Sequence, residues 1–286
     1  MSEIPGTKVE VNCFSFGGPP TKDQRSGTKK QQPPLYYAQG EGTLPLASVN
    51  AGNSGSLGLG GGGVNLGFQD HLSQTFHHLA DFETRHKKLL DKADNGGEPW
   101  EHYSTADPCA FSFVNPGRIG KFPGWYAGVC FVDVFDTSNP DLCPDSNPLN
   151  VAMLYAAPPE DDYYGTDSDD DAAKTQFLAA IETMAVKIIQ TVSAYNALAE
   201  QKKLPSIKAL RNTLYSSGIY NQNLQLDRSE IARAIFRGMS AELKKDPNSG
   251  LEELQFPVGN GERWQDDLFA AVKKDLASST ATVVST

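Results

Sequence analysis

Residues 49–65 read VNAGNSGSLGLGGGGVN, with four consecutive glycines near the end of the stretch. The residues before it resemble the end of a strand. After it, apolar residues recur every three or four positions, which predicts an amphipathic helix over roughly residues 66–92. A strand, a Gly-rich loop and a helix form an arrangement that binds phosphate, because glycine lets backbone N–H groups approach an anion closely. A flexible surface loop is the alternative interpretation.

The common named phosphate motifs do not fit these glycines. No lysine follows them, which argues against a P-loop. A GxGxxG pattern can be placed on residues 58–63, but no acidic residue ends a second strand about 20 residues later, as a dinucleotide-binding site requires.

Composition restricts the class of protein. The formal net charge of the 286 residues is −10, which disfavours non-specific binding to long nucleic acid or to an anionic membrane. We find no apolar run of 18 or more residues and no signal-peptide pattern, so we expect a soluble protein. The four cysteines form no CxxC pair, which is typical of free thiols in a reducing compartment and predicts a cytoplasmic, or possible nuclear, location.

The order of elements predicts an α/β domain. Strand-like runs occur at residues 109–114, 127–135 and 150–158, and helical patterns follow, with a buried stripe from Phe177 to Leu198 and another from Ile231 to Met239. Strands that alternate with helices predict layers around a largely parallel sheet. We expect a flexible N-terminal arm at residues 1–34, one domain at 35–276 and a C-terminal tail at 277–286.

Two segments resemble the ligand loops of macrodomains and of the related poly(ADP-ribose) glycohydrolases. "VNAGN" followed by "LGLGGGGV" resembles the first loop of the family, and "LYSSGIYNQ" (214–222) resembles its second phosphate loop. The resemblance implies a three-layer α/β/α macrodomain-like sandwich with a mixed, largely parallel sheet. It also implies ADP-ribose as the ligand, without a cofactor. The residues that it implies as ligand contacts are Asn53, Gly61, Gly62, Gly63, Val64, Ser217, Gly218, Ile219 and Tyr220.

The chain departs from the family at the positions where relatives keep a catalytic acid. Asn65 stands where small hydrolytic macrodomains have an aspartate, and His71 stands where glycohydrolases have the essential glutamate. A catalytic carboxylate would therefore come from elsewhere, and the acidic segment EDDYYGTDSDDD (residues 160–171) follows a predicted strand. Its candidates are Asp161, Asp162 and Asp169. The alternative is that these acids cap the next helix or are solvated.

The acidic segment also suggests a substrate. A group of divergent macrodomains, typified by a Legionella effector, removes ADP-ribose from arginine, and this chain resembles that group in its acidic residues. We therefore expect an ADP-ribosylhydrolase that acts on mono-ADP-ribosylated protein, with arginine as the modified residue. A non-catalytic ADP-ribose reader is the alternative, and a hydrolase of an ADP-ribose metabolite or of nucleic-acid-linked ADP-ribose is a third hypothesis.

Several other residues carry weaker signals. Asp227 and Asp70 are further candidate acids, although Asp227 fits a helix N-cap better. His71, His77 and His78 lack the spacing of a metal site, so no metal is expected. Trp125, Tyr126 and Phe135 could stack on adenine, but core packing is the simpler interpretation of each.

Overall fold

The computed structural model describes residues 2–15, 44–59, 65, 68, 72, 81–120, 124–136, 152–258, 270, 272, 274 and 275. Within them, nine strands form one sheet in the order β1-β2-β9-β8-β3-β7-β6-β5-β4. The strands are β1 Ser2–Glu3, β2 Glu10–Ser15, β3 Leu46–Ala51, β4 Trp100–His102, β5 Cys109–Asn115, β6 Cys130–Phe135, β7 Ala152–Ala156, β8 Ala209–Arg211 and β9 Glu253–Val258. The helices are α1 Phe82–Asp94, α2 Asp171–Lys202 and α3 Arg228–Lys245, with short 3-10 helices at Asp161–Tyr163 and Ile219–Asn221.

The sheet is mixed, as predicted. The run β2-β9-β8-β3-β7 is parallel throughout, whereas β7-β6-β5-β4 and the β1-β2 pair are antiparallel. The parallel pairings are therefore only half of the total, fewer than the expected majority. They surround β3, the strand that leads into the glycine-rich loop.

Helices cover both faces of the sheet, which confirms the three-layer α/β/α prediction. Alternate residues of a strand point to opposite faces. On β6 and β7, Val132 and Leu154 join the core formed by α2 and α3, whereas Phe131 and Tyr155 join Leu89 and its neighbours on α1.

Helix α2, at 32 residues, is the longest element in the described part of the chain. It follows the N-cap Asp170, whose side chain accepts from the N–H of Ala173. By length and composition it could cross a membrane. Its buried stripe, however, contacts α3 and strands β5 and β6 inside the domain, so this property is weak evidence for a membrane span.

The expected N-terminal arm at residues 1–34 is wrong for the residues that the structure describes. Strand β2 pairs in parallel with β9, and Ile4, Val9 and Val11 are buried in the core. The Gly, Pro, Lys and Gln content that suggested an arm belongs mostly to residues 16–34, which lie outside the described residues. The domain therefore includes residues well before 35. The tail at 277–286 also lies outside the described residues.

The predicted helix over residues 66–92 is divided. Asn65, Phe68 and Leu72 are helical, but Asp81 has extended backbone angles (φ −65°, ψ 98°) and caps a new helix by accepting from Thr84 N. The apolar spacing continues across this break because Phe82 packs in the same cluster as Phe68 and Leu72. Periodicity alone cannot detect a cap between two helices that bury the same side.

The close approach of α2 and α3 generates a prediction at Gly238. A methyl group there would lie 2.4 Å from the carbonyl oxygen of Glu182 and 2.8 Å from Cβ of Ala185. We expect Gly238→Ala to lower the free energy of unfolding by roughly 1–2 kcal/mol, because overpacking (about 1–3 kcal/mol) exceeds the helix propensity gained (at most about 1 kcal/mol). Urea unfolding measures this, with exposed Lys244→Ala on the same helix as the control. A more stable Gly238→Ala protein would contradict the packing described here.

Candidate functional site

Three loops meet at the carboxyl ends of the central parallel strands. Strands β3, β7 and β8 are parallel neighbours, so their carboxyl ends lie side by side. We call residues 52–59, after β3, the first loop, and residues 212–224, after β8, the second loop. Between them lie residues 157–171, which include the acidic segment. Strand β3 lies between β7 and β8, and the chain crosses from β7 to β8 through α2. Ligands of open α/β sheets bind outside the carboxyl ends of the strands, at such a crossover point.

Hydrogen bonds connect the three loops at these strand ends. The Ser54 hydroxyl donates to the Glu160 carboxylate, which links the first loop to the acidic segment. The three bonds are Ser54 Oγ to Glu160 Oε1, Ser216 Oγ to Pro159 O (2.8 Å), and Tyr220 OH to Gly52 O (3.5 Å). The segment between the loops therefore holds both of them.

The backbone carbonyls of the first loop face protein donors. Tyr155 is central, because its hydroxyl contacts two of these carbonyls. The full set is Tyr155 OH to Asn53 O (3.1 Å) and Ser56 O (2.9 Å), Tyr126 N to Ser54 O (2.7 Å), His86 Nδ1 to Leu57 O (2.6 Å) and Asn65 Nδ2 to Gly58 O (3.3 Å).

The amide groups of the same loop are mostly unused. Among the described residues, the N–H groups of residues 53, 54 and 56–59 make no hydrogen bond, and Gly55 N donates only to Asn53 Oδ1 (2.6 Å). Of these residues, Ser54, Leu57 and Gly58 are buried, and buried N–H groups need an acceptor from a ligand or water. A loop that turns its carbonyls toward the protein leaves its amides for an anion.

Gly52 permits the contact that organises this loop. A Cβ at this position would lie 2.2 Å from the ring of Tyr155. Only glycine lets the ring pass close enough for its hydroxyl to reach the carbonyls beyond. The pKa of Tyr155 is raised far above its ordinary value, chiefly by burial, so the hydroxyl remains a donor.

A buried ion pair fixes the far end of the first loop. His86 Nε2 lies 2.8 Å from Asp133 Oδ2, both side chains are fully buried, and the imidazole stacks on Phe131 with ring centroids 4.1 Å apart. The other oxygen of Asp133 accepts from Ser112 Oγ. Burial alone would raise the pKa of the Asp133 carboxyl, but the charge and hydrogen bond of His86, with help from Arg85 and Ser112, keep that pKa below its ordinary value.

Sequence reasoning missed this pair. A signal was present, since Asp133 interrupts the apolar strand CFVDVF and His86 lies on the buried stripe of α1. A buried carboxylate requires a partner. The partner could not be chosen without the fold.

The second loop presents open backbone at Gly218. A Cβ there would meet no heavy atom within 4 Å, and the next residue, Ile219, has a relative exposure of 65%. Ser217 Oγ donates to Leu214 O (2.7 Å), which tightens the turn. Asn221 makes two hydrogen bonds to the backbone of Leu226, which fix the end of this loop.

The residues predicted to bind ligand are grouped by the fold as far as they are described. Asn53 is exposed in the first loop, and Ser217, Gly218, Ile219 and Tyr220 lie in the second. The strand-end hydrogen bonds bring these two loops together. Gly61, Gly62, Gly63 and Val64 lie outside the described residues. The binding role of all of them stays a prediction.

The three predicted catalytic aspartates have different surroundings. Asp161 is buried, and its Oδ2 accepts from the N–H groups of Asn223 (2.7 Å) and Leu224 (2.9 Å), so it braces the second loop. Asp162 is exposed and also accepts from the Asn223 side chain. Asp169 is exposed in the turn before α2. Their catalytic role stays a prediction, but Asp161 already has a structural one.

Other candidate residues are explained by structure. Asp227 is the N-cap of α3, and its side chain accepts from Ser229 N (2.7 Å), which confirms the predicted N-cap. Trp125 and Phe135 are buried core residues, and Tyr126 lies under Arg118. Asp70, His71, His77 and His78 lie outside the described residues.

Glu160 is the acidic residue that sequence reasoning overlooked. It contacts the first loop through Ser54, and burial together with its negative charge raises the pKa of Tyr220 in the second loop to about 12. Glu160 therefore lies between the two loops. Glu160 is the first of three consecutive acids, and composition alone does not reveal which of them faces the crevice.

No family model matches the chain. Among curated proteins it is similar to the DNA/RNA-binding protein ALBA4 of Plasmodium yoelii yoelii (23% identity, 72% of this chain, 55% of the relative) and of Plasmodium falciparum (23% identity, 72% of this chain, 56% of the relative). The chain thus spans about half the length of the curated relatives it matches.

Several solved structures are distantly similar. An Oceanobacillus iheyensis macrodomain with ADP has a TM-score of 0.39 and 17% identity, over 82% of this chain and 86% of that one. A Deinococcus radiodurans poly(ADP-ribose) glycohydrolase with ADP-ribose has a TM-score of 0.43 and 12% identity, over 96% of this chain and 86% of that one. A Trypanosoma brucei macrodomain has a TM-score of 0.37 and 14% identity, over 80% of this chain and 61% of that one. These TM-scores are low, so the fold rests on the sheet topology itself.

Because His86 connects Asp133 to the carbonyl of Leu57, we expect a local effect of Asp133→Asn on the first loop. Without the carboxylate the imidazole loses its charged partner, and its hydrogen bond to Leu57 O weakens. A hydrogen bond to a charged group contributes about 1.5–3 kcal/mol, so we expect cleavage within residues 53–59 by a leucine-directed protease to rise about tenfold or more. Mass spectrometry of the fragments locates the cut.

Asp107→Asn is the matched control for that experiment. It removes the negative charge that Arg85 Nη2 contacts through both carboxylate oxygens of Asp107 (2.7 and 2.6 Å), in the same region, but Asp107 contacts no first-loop atom. Equal acceleration in both variants would mean that the pair stabilises only the domain as a whole.

The lowered pKa of Asp133 also predicts acid sensitivity. The ionised pair stabilises the fold fully above the unfolded-state pKa of about 3.9, and that stabilisation is lost as the pH falls through the lower folded-state pKa. We expect the free energy of unfolding to decline less steeply below about pH 4 in Asp133→Asn than in the wild type. Denaturant unfolding at a series of pH values measures this, and identical slopes would exclude Asp133 as a contributor.

Proposed function

We propose that the chain binds ADP-ribose at the crevice between the first and second loops and hydrolyses its bond to a modified protein side chain, arginine in particular. The observation that carries the proposal is the first loop, whose carbonyls accept from buried donors, while the N–H groups of residues 53, 54 and 56–59 have no acceptor among the described residues. A diphosphate requires several N–H donors at close range. The resemblance of both loops to ADP-ribose-binding loops supports the same ligand.

The arginine preference is supported by charge. The residues between the loops carry Glu160 and Asp162, and a guanidinium ion is recognised by carboxylates. Cleavage at the distal ribose passes through a cationic, oxocarbenium-like state, which a nearby carboxylate stabilises.

A non-catalytic reader remains the second candidate, and Asn65 favours it. The residue is buried, its Oδ1 accepts from Asn50 Nδ2 (2.8 Å) and its Nδ2 donates to Gly58 O (3.3 Å). At the position where small hydrolytic macrodomains keep an acid, this chain has a neutral residue committed to the loop. A reader would bind ADP-ribose equally well and release none.

The name of the curated relatives suggests nucleic acid as a further ligand. The net charge of −10 argues against a surface that follows a long phosphate backbone, although a single terminal nucleotide could enter the crevice. Fluorescence anisotropy with labelled RNA and DNA tests this. Tight, salt-dependent binding to long strands would favour the nucleic-acid function instead.

The deciding experiment has two measurements. Calorimetry with ADP-ribose tests binding, which should also raise Tm because the ligand binds only the native state. Proteins mono-ADP-ribosylated separately on arginine, glutamate or serine are then assayed for released ADP-ribose. Binding without release supports the reader, and the absence of both heat and a Tm shift at millimolar ligand rejects the proposed function.

Gly218 offers a test of the binding site itself. A glutamate there would bring negative charge to the diphosphate from a position with open space around it. We expect Gly218→Glu to weaken ADP-ribose binding by about 100-fold or more, since like charges at close range repel by several kcal/mol at a partly buried site.

Gly218→Gln is the control for this variant, because it has the same size and places the same demand on the backbone. It should lose much less affinity than Gly218→Glu. If the two variants bind equally, the negative charge does not meet a phosphate at this position.

A further inference from the structure

We propose that Glu160 is the carboxylate that meets the positively charged arginine end of the substrate and handles the proton in hydrolysis, a role that rests on the proposed function. It replaces the acids that relatives keep at the positions of Asn65 and His71. The residue lies four positions after β7, in extended conformation (φ −110°, ψ 139°), just before the 3-10 helix Asp161–Tyr163.

The side chain of Glu160 is half-buried between the two loops. Its Oε1 accepts from Ser54 Oγ, which orients the carboxylate toward the first loop. Within the described residues its Oε2 has no hydrogen-bond partner. The carboxylate is therefore positioned by one oxygen and free to act with the other.

Two tyrosines lie near enough to this carboxylate to be affected by its charge. The charge of Glu160 contributes to the raised pKa of Tyr220 and of Tyr163, after burial in both cases. Both therefore remain protonated near neutral pH. Tyr220 also reaches Gly52 O, so the loops on either side of Glu160 are connected.

The other acids of the segment have different uses. Asp161 braces the backbone of the second loop, and Asp162 is exposed and bonded to Asn223. Asp169 belongs to the turn before α2. By this comparison Glu160 is the acid, among the described residues of the segment, that contacts the first loop.

The chemistry requires one proton relay. As the bond between C1 of the distal ribose and the guanidine nitrogen breaks, its electron pair goes to nitrogen, and a water oxygen forms the new bond to C1. Glu160 takes a proton from that water and then gives it to the neutral guanidine, which leaves as a guanidinium ion. The carboxylate is regenerated, and no other reactant is needed.

Glu160→Gln tests this role, because glutamine keeps the shape and can still accept from Ser54 while losing the charge. We expect release of ADP-ribose from arginine-linked substrate to fall by about 100-fold or more, the usual scale for loss of acid–base help. Affinity for free ADP-ribose should stay within about threefold, because free ADP-ribose lacks the cation. The control is Asp167→Asn, which removes the same charge from an exposed position in the same segment and should change neither measurement.

The possible results of this experiment distinguish the role of Glu160 from the proposed function itself. A Glu160→Gln protein that hydrolyses at the wild-type rate, or that loses free ADP-ribose binding in parallel with activity, overturns the role of Glu160. If the wild type binds but releases nothing, affinity for an ADP-ribosylated arginine peptide becomes the measurement. A loss in Glu160→Gln confined to the peptide then supports cation recognition, and unchanged affinity refutes it. A wild type that binds no ADP-ribose refutes the proposed function and this role together.

Discussion

The buried pair of His86 and Asp133 is the constraint on which the candidate site depends. Both charges are removed from water, which is costly unless every hydrogen-bonding group is satisfied. Asp133 is satisfied by His86 and Ser112, and the second nitrogen of the imidazole finds its acceptor in Leu57 O. The need to satisfy a buried charge thus fixes the backbone of a loop.

Tyr155 extends the same logic to the rest of that loop. Its strand, β7, lies between β3 and β6, so the ring reaches the first loop from the middle of the sheet. Rigid side chains from α1, β6 and β7 therefore determine which way the loop carbonyls face. If the proposed function is correct, selectivity for an anion follows from the direction of these backbone groups, without a cationic side chain in the described part of the loop.

The predictability of the structure differs between its parts. Strands β5, β6 and β7 could be predicted because each is a short apolar run. The binding role of Gly218 and its neighbours rests on resemblance to a known loop and stays a prediction. Strand β2 was not predicted, because its sequence EVNCFS has only three apolar residues and precedes a long stretch rich in Gly, Pro and Lys. The contacts of His86 with Asp133 and of Ser54 with Glu160 span 47 and 106 residues, and local pattern holds no information about pairings of that range.

The order of strands in the sheet has a consequence for synthesis of the chain. Strand β2 is made early, but its neighbour β9 follows much later, and Asn12 bonds to Glu253 across 241 residues. Strand β3 likewise has an unpaired edge until β8 emerges. Pairings over such distances form slowly, and exposed edges favour aggregation. Before β8 has been synthesised, the nascent chain therefore exposes the unpaired edge of β3 beside the first loop. At this stage of synthesis, binding of a chaperone would prevent the most aggregation.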